Sequence, residues 1–353
     1  MSGALLPPGE ASHSGVCIGG RAVPSFYLIG HQKCATTSYA RVLLDAGLEV
    51  GGRGVWCPGG QPDHTWCNKE LHVFDGLFCG EHAASGVALS CVGVSGDDEE
   101  AHSRFASQAS TRACNEASGN VTLADFTPSY ARLVGLPRLM TELHGSMSAA
   151  LALVVMVREP LARMRSGYHD DPSLGGAFNF SAYAEAVAAA LPRDYAGVRA
   201  NASALSTRVD LDHWYRSMYG LTLSPWLSHF RAEQLLLLPT AWALGNVRAS
   251  VQLIGARFPA VHIDAESVGE VPPALNAASA AHRPPDDPPA RTIARLRDVY
   301  FAPDLELLAS TIAALPRGFA RGLAIGGLEA EELESGDEAH RAHTIAAHLR
   351  ASW

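Results

Sequence analysis

The heptapeptide LALVVMV, residues 151 to 157, carries no charged, hydroxyl or amide side chain and runs directly into Arg158, Glu159 and Pro160. Such a continuous run of strand formers suits a central strand of a parallel sheet, covered by helices on both faces. Phe26 to Ile29 (FYLI), Val121 to Asp125 (VTLAD) and Leu235 to Pro239 (LLLLP) read in the same way. Helix-period patterns lie between them. Tyr39, Val42, Leu43 and Ala46 share one face of a helix over Thr36 to Ala46, and a second helix is predicted near Leu136 to His144. The stretch WYRSMYGLTLSPWLSHF predicts a helix broken near Pro225, and NVRASVQLIGARF another, with two short helices near Arg291 to Tyr300 and Asp304 to Leu315. Strand and helix keep alternating, which predicts an α/β fold with a central, mostly parallel sheet flanked by helices.

With 353 residues and 47% hydrophobic content, the chain can bury one large core. The predicted organisation is an N-terminal extension over residues 1–23, a main domain over 24–315 with a Cys- and Gly-rich insertion at about 76–120, and an acidic, peripheral C-terminal tail with a helix over 316–353. Val271 to Pro289 is proline-rich and predicted to be a loop. No apolar run reaches the roughly 18 residues of a membrane span, and the N-terminal residues lack the basic and apolar regions of a secretory leader.

All seven cysteines (Cys17, Cys34, Cys57, Cys67, Cys79, Cys91, Cys114) lie in the first third, and sequons occur at Asn120, Asn179 and Asn201. Disulfides stapling the irregular stretch from Cys57 to Cys114, and residence in the Golgi lumen or secretory pathway rather than the cytoplasm, are the expectations. The cysteine spacings fit no compact zinc pattern, so no metal is expected. The formal net charge is -9, with six acidic residues between Glu329 and Glu338. Between Phe126 and Tyr168 the balance reverses: Arg132, Arg138, Arg158, Arg163 and Arg165 face only Glu142 and Glu159, which favours an anionic ligand there or a solvated helix face.

The first predicted strand ends at Gly30 and is followed by Lys33 and then Thr36, Thr37 and Ser38. A strand, a short loop with an ammonium and a helix N-terminus together make an anion site. It is not the GxxxxGKS/T loop of nucleoside triphosphatases, because no second glycine precedes Lys33. The bland alternative is that Thr36 or Ser38 merely caps a helix. Arg158 closes a second strand, and Ser166 follows eight residues later, two turns into a helix that Pro160 opens. Ligands of open α/β sheets bind at the carboxyl ends of strands, where these two segments would meet.

These segments together resemble the sulfotransferases that use 3′-phosphoadenosine 5′-phosphosulfate (PAPS), in particular the carbohydrate and heparan sulfate branch. IGHQKCATTS is similar to the family's 5′-phosphosulfate loop, G-x-x-K-x-G-T-T/S-S/T, and VREPLARMRSGY to its 3′-phosphate element, R-D/E-P-x-x-R-x-x-S-x-Y. NKELHVFD resembles the K-E-x-H-F/Y-F-D segment, DFTPSY the S/T-P-x-Y segment, and LRDVYFAPDLELL the closing helix-turn segment. The resemblance spans residues 24 to 315 and implies a P-loop-like sulfotransferase fold.

What the resemblance implies is specific. Lys33 would neutralise charge on the leaving phosphate, and Lys33, Cys34, Ala35, Thr36, Thr37 and Ser38 would cradle the 5′-phosphosulfate. Arg158 and Ser166 would grip the 3′-phosphate, and His282 and Arg283 would contact adenine, although NAASAAHRPPDD lacks the family's K-G-R pattern. Glu70 would be the general base, with His72 the competing assignment, and Lys69, His72 and Tyr130 would bind the acceptor. Cys34 and Ala35 depart from the usual small or glycine residues, and Phe126 stands where many relatives have lysine. The acceptor implied is a carbohydrate or other hydroxyl, neutral or lightly charged given the acidic balance, with no nucleic-acid partner; Trp56, Trp66, Trp214 and Trp226 are candidates to stack on sugars. A P-loop kinase or NTPase, and a non-catalytic glycan-binding relative, are the alternatives.

Overall fold

The computed structural model describes residues 16–51, 69–74, 105–107, 109–116, 121–171, 179–269, 287–315, 324–328, 332 and 336–352. The chain begins with a small antiparallel hairpin, β1 (Val16–Ile18) and β2 (Arg21–Val23), and then enters β3 (Phe26–Gly30) and α1 (Thr36–Asp45). Next come β4 (Glu49–Val50), β5 (Leu123–Asp125), α2 (Leu136–His144), β6 (Ala152–Val157), α3 (Pro160–Asp170) and α4 (Phe180–Ala190). The later longer elements are α5 (Tyr219–His229), β7 (Leu235–Pro239), α6 (Val247–Arg257), α7 (Ala302–Ala313), β8 (Ala324–Ile325) and α8 (Glu338–Ala351).

β3 to β8 form a six-stranded sheet in the order β4-β5-β3-β6-β7-β8, with every neighbouring pair parallel. This is the expected α/β architecture. The apolar runs supply it because alternate residues serve opposite faces. Tyr27, Ile29, Leu153, Val155, Leu235 and Leu237 pack with α2, α5, α7 and α8; Phe26, Leu28, Val154, Met156, Leu236 and Leu238 pack with α1 and α6. Each fully buried Leu, Val or Phe contributes roughly 1.5–3 kcal/mol, so a sheet covered on both sides dominates the stability. The chain leaves β3 toward one side for β4 and β5, then crosses to the other for β6, β7 and β8. The crevice beyond the carboxyl end of β3 is therefore the switch point of the sheet.

Several expectations are corrected. The helix predicted to break near Pro225 instead breaks between Tyr215 and Tyr219, and α5 runs through Pro225. Its start is set from afar: the Asp304 carboxylate accepts from the amides of Gly220 (2.7 Å) and Leu221 (3.0 Å), while Pro225 forgoes a single intrahelical bond. The two short helices near residues 291–315 join into one helical run, through a π-helical stretch at Arg295–Phe301. The C-terminal segment, expected at the periphery, completes the sheet edge through β8 and buries Ile345, Ala346 and Leu349 in the core. Its polar sequence hides an i, i+4 apolar stripe, and Arg341 donates to the Ala313 carbonyl at the end of α7 (2.7 Å).

Among the described residues one disulfide joins Cys17 to Cys114, tying the N-terminal hairpin to the segment before β5. Cys57, Cys67, Cys79 and Cys91 lie outside the described residues, as do Trp56 and Trp66. Trp214 and Trp226 are wholly buried, which removes them as sugar platforms. Among the described residues no helix is long and apolar enough to cross a membrane.

Candidate functional site

The crevice is built from the ends of four adjacent strands. β3 delivers His31 to Ala35, and β6 delivers Arg158. β5 leads into Phe126 to Tyr130, and β7 into Thr240. Gly30 lets two of these segments touch, because a Cβ there would lie 2.7 Å from the Ala131 Cβ and 3.0 Å from the Pro128 carbonyl.

The Lys33 loop is held by its carbonyls. Arg163 Nε donates to Gln32 O (2.8 Å), Arg158 Nη1 to Lys33 O (3.4 Å) and Thr240 Oγ1 to Cys34 O (3.1 Å). Lys33 and Ala35 both have left-handed backbone, at φ 68° and 61°. Alternation of this kind turns successive amides toward one side, which makes a concave anion nest. Ala35 is also the residue before α1, so the unpaired amides of the first helical turn extend the nest. The amides of Lys33 and Ala35 make no hydrogen bond among the described residues. Cys34, grouped with these residues on sequence, behaves differently. Its side chain is fully buried and 3.7 Å from the Tyr219 hydroxyl, and its amide already donates to His31 O. Burial pushes its thiol upward, so it is a packing residue here. Thr36 and Ser38 are buried at the start of α1, and Thr37 is half-buried beside them.

Beneath the loop lies a cationic layer. Arg163 is fully buried; its Nη1 donates to His213 O (2.8 Å), and burial together with the neighbouring Arg216 brings it down to about 10. Arg216 reaches the Gln32 side chain and pairs with Asp212 (2.7 Å), which also pairs with Arg132 (3.1 Å). Burial, then Arg163 and Arg216, hold His31 well below the usual imidazole range, so it is neutral. Of the five arginines noted between Phe126 and Tyr168, Arg158 and Arg163 serve the loop. Arg138 pairs with Glu142, Arg165 with Asp287 and Arg132 with Asp212. Arg158 keeps an exposed side chain. Its backbone is clamped by Tyr219, whose hydroxyl accepts from Arg158 N (3.2 Å) and donates to Arg158 O (2.8 Å). Ser166 is half-buried on α3. The Lys33 ammonium lies 2.8 Å from an Asp170 carboxylate oxygen.

The Lys69 to Phe74 segment is held mainly the opposite way, by its amides, with one carbonyl, Lys69 O, accepting from Phe126 N (3.1 Å). Asp125 Oδ1 accepts from Leu71 N (3.2 Å), Thr127 Oγ1 from His72 N (3.1 Å) and the Tyr130 hydroxyl from Val73 N (2.9 Å) and Phe74 N (3.4 Å). Asp125 in turn accepts from Thr127 Oγ1 (2.6 Å) and the Tyr130 hydroxyl (2.8 Å). Tyr130, read from sequence as an acceptor-binding residue, is thus corrected: it is fully buried and positions this segment. Lys69 is corrected likewise, being 3% exposed with its ammonium on the Glu70 carboxylate. His72, with φ 51°, turns back so that its Nε2 lies 3.1 Å from the other Glu70 oxygen. Burial pushes the Glu70 carboxyl up, but the His72 hydrogen bond and the Lys69 ammonium outweigh it and hold Glu70 below the usual carboxylate value. Glu70 is consequently an ionised, half-buried carboxylate. His282 and Arg283 lie outside the described residues.

No motif or period in the sequence marks Arg163 as a strut, or Arg216 and Tyr219 as part of the site. The signal Arg163 does carry is its place on a helix face with Pro160, Met164 and Gly167, a charge on an otherwise apolar stripe.

Fold and site together define an α/β protein with a crevice of free amides and basic side chains at the switch point of a parallel sheet. Among solved structures, the chain is similar to a sulfotransferase from Alicyclobacillus acidocaldarius, with 17% sequence identity, a TM-score of 0.48, and coverage of 85% of this chain and 100% of that one. No protein-family model matches the sequence, and a search of curated proteins finds no match.

Proposed function

We propose that this chain transfers a sulfuryl group from PAPS to a hydroxyl of a carbohydrate acceptor. The observation that carries the reading is the anchoring of the Lys33 loop. Arginines and a threonine take its carbonyls, and the amides of Lys33 and Ala35 are left at the switch point for a polyanion, beside the Lys33 ammonium. The donor set fits a phosphosulfate: backbone N–H groups, Lys33 and the exposed guanidinium of Arg158, with no acidic side chain in the loop itself.

In this reading the loop amides, Thr37 and Lys33 hold the 5′-phosphosulfate, and Arg158 with Ser166 holds the 3′-phosphate. The acceptor oxygen attacks sulfur in line as the bond from sulfur to the bridging oxygen breaks. The electron pair leaves on the 5′-phosphate, where Lys33 offsets the developing charge. Glu70 takes the acceptor proton, and Lys69 and His72 keep it ionised and aimed. A neutral glycan suits a chain whose net charge is -9.

The test is competitive binding of 3′-phosphoadenosine 5′-phosphate against ATP with Mg²⁺. Preference for the former is expected, and preference for ATP overturns the reading in favour of phosphoryl transfer. With radiolabelled PAPS and a panel of neutral glycans, Lys33→Ala and Glu70→Gln should each lower sulfate transfer by roughly 10²–10⁴-fold, the second with donor affinity retained. Undiminished transfer by Glu70→Gln would move the base to His72.

A further inference from the structure

The partner of Lys33 sits where helix physics disfavours it. Asp170 is the last residue of α3, and the final turn of a helix carries partial negative charge that favours basic side chains. Asp171 follows immediately, so two carboxylates crowd that terminus. Each finds a partner on another element, Asp171 a histidine that burial and Arg163 hold neutral, down to about 4, and Asp170 a lysine. Asp171 lies 3.2 Å from Nε2 of the buried His213, an enclosed pair that braces α3. Asp170 lies 2.8 Å from Lys33 Nζ, an open pair in which the aspartate side chain is 53% exposed and the lysine 14%.

We propose that Asp170 competes with the donor for Lys33 and so sets donor affinity; this rests on the donor reading above. Lys33 carries the ammonium of the anion loop, and a carboxylate 2.8 Å from it stands beside the path of any anionic group that comes to it. Donor binding then has two courses: the pair parts, or a like charge remains close to the bound anion. Both weaken binding. Asp170 is exposed and lies at a helix end, so replacing it leaves the core and the loop anchors in place.

The experiment is a titration of 3′-phosphoadenosine 5′-phosphate into the full chain as wild type, Asp170→Asn, Lys33→Ala and the double variant. Asp170→Asn should bind about three- to tenfold more tightly at low salt, with the gain shrinking as salt is added. In the Lys33→Ala background the same substitution should bring no such gain. Equal or weaker binding by Asp170→Asn overturns the competition, as does an undiminished gain without Lys33, which would make Asp170 a general source of negative field. If neither wild type nor Asp170→Asn binds the nucleotide at all, it is the donor reading that fails.

Discussion

The Lys33 loop and the Lys69 to Phe74 segment face one crevice but are fastened by opposite sides of the backbone. Donors from Arg158, Arg163 and Thr240 take the loop's carbonyls; acceptors on Asp125, Thr127 and Tyr130 take the other segment's amides. In the proposed reaction the difference divides the work. A segment held by its carbonyls can offer amides to an anion, whereas one held by its amides works through its side chains, here Glu70 and His72. The proposed donor side is thus a backbone device supported by buried cations. The acceptor side is a side-chain device supported by a buried carboxylate.

Breaking the first kind of anchor should have the largest effect. Arg163→Met removes two charge-assisted hydrogen bonds to carbonyls from a fully buried position and should cost about 3–5 kcal/mol in denaturant unfolding, with donor affinity reduced in the protein that remains folded. Unchanged donor affinity would detach the arginine from the site. Asp125→Asn should cost about 2–3 kcal/mol, because one end of the side chain becomes a donor facing hydroxyls and amides that now donate to it. Its signature should be kinetic: sulfate transfer falls by about 10²-fold while donor affinity holds within about twofold. Tyr219→Phe should cost about 1–2 kcal/mol and weaken donor binding by about tenfold with the acceptor KM unmoved, since the hydroxyl clamps the Arg158 backbone and touches Cys34 of the Lys33 loop. The smallest effect sharpens the acceptor side. Glu70 is held below the ordinary carboxylate value, so the acidic limb of kcat/KM should lie below that value, with activity lost as the pH falls and the carboxylate protonates. A limb near about 6.5 would identify His72 as the base.

Much of the donor side is legible in the amino-acid sequence. The strands at Phe26 and Leu151 and the helices at Thr36 and Leu136 form close to where their apolar periodicity places them, and Lys33 and Arg158 stand at strand ends as expected. What escapes a sequence reading is contact between distant residues. Arg163 and Gln32 are 131 positions apart and Tyr219 and Arg158 are 61 apart, and no local pattern marks either pair. Tyr130 misleads for a related reason. A tyrosine in a polar, proline-containing segment reads as exposed until its neighbour Asp125 is seen to bury and bond it. The C-terminal helix misleads because charge and histidine dominate its composition, and two apolar residues one turn apart are enough to seat it.

The central claim is that the Lys33 loop with Arg158 holds the donor while the Glu70 segment acts on the acceptor. The most direct measurement is a titration of 3′-phosphoadenosine 5′-phosphate into wild type, Arg158→Ala and Asp125→Asn. The account predicts that Arg158→Ala loses affinity by about 10²-fold and that Asp125→Asn stays within about twofold of wild type. Equal losses in the two variants, or unchanged affinity in Arg158→Ala, would contradict it.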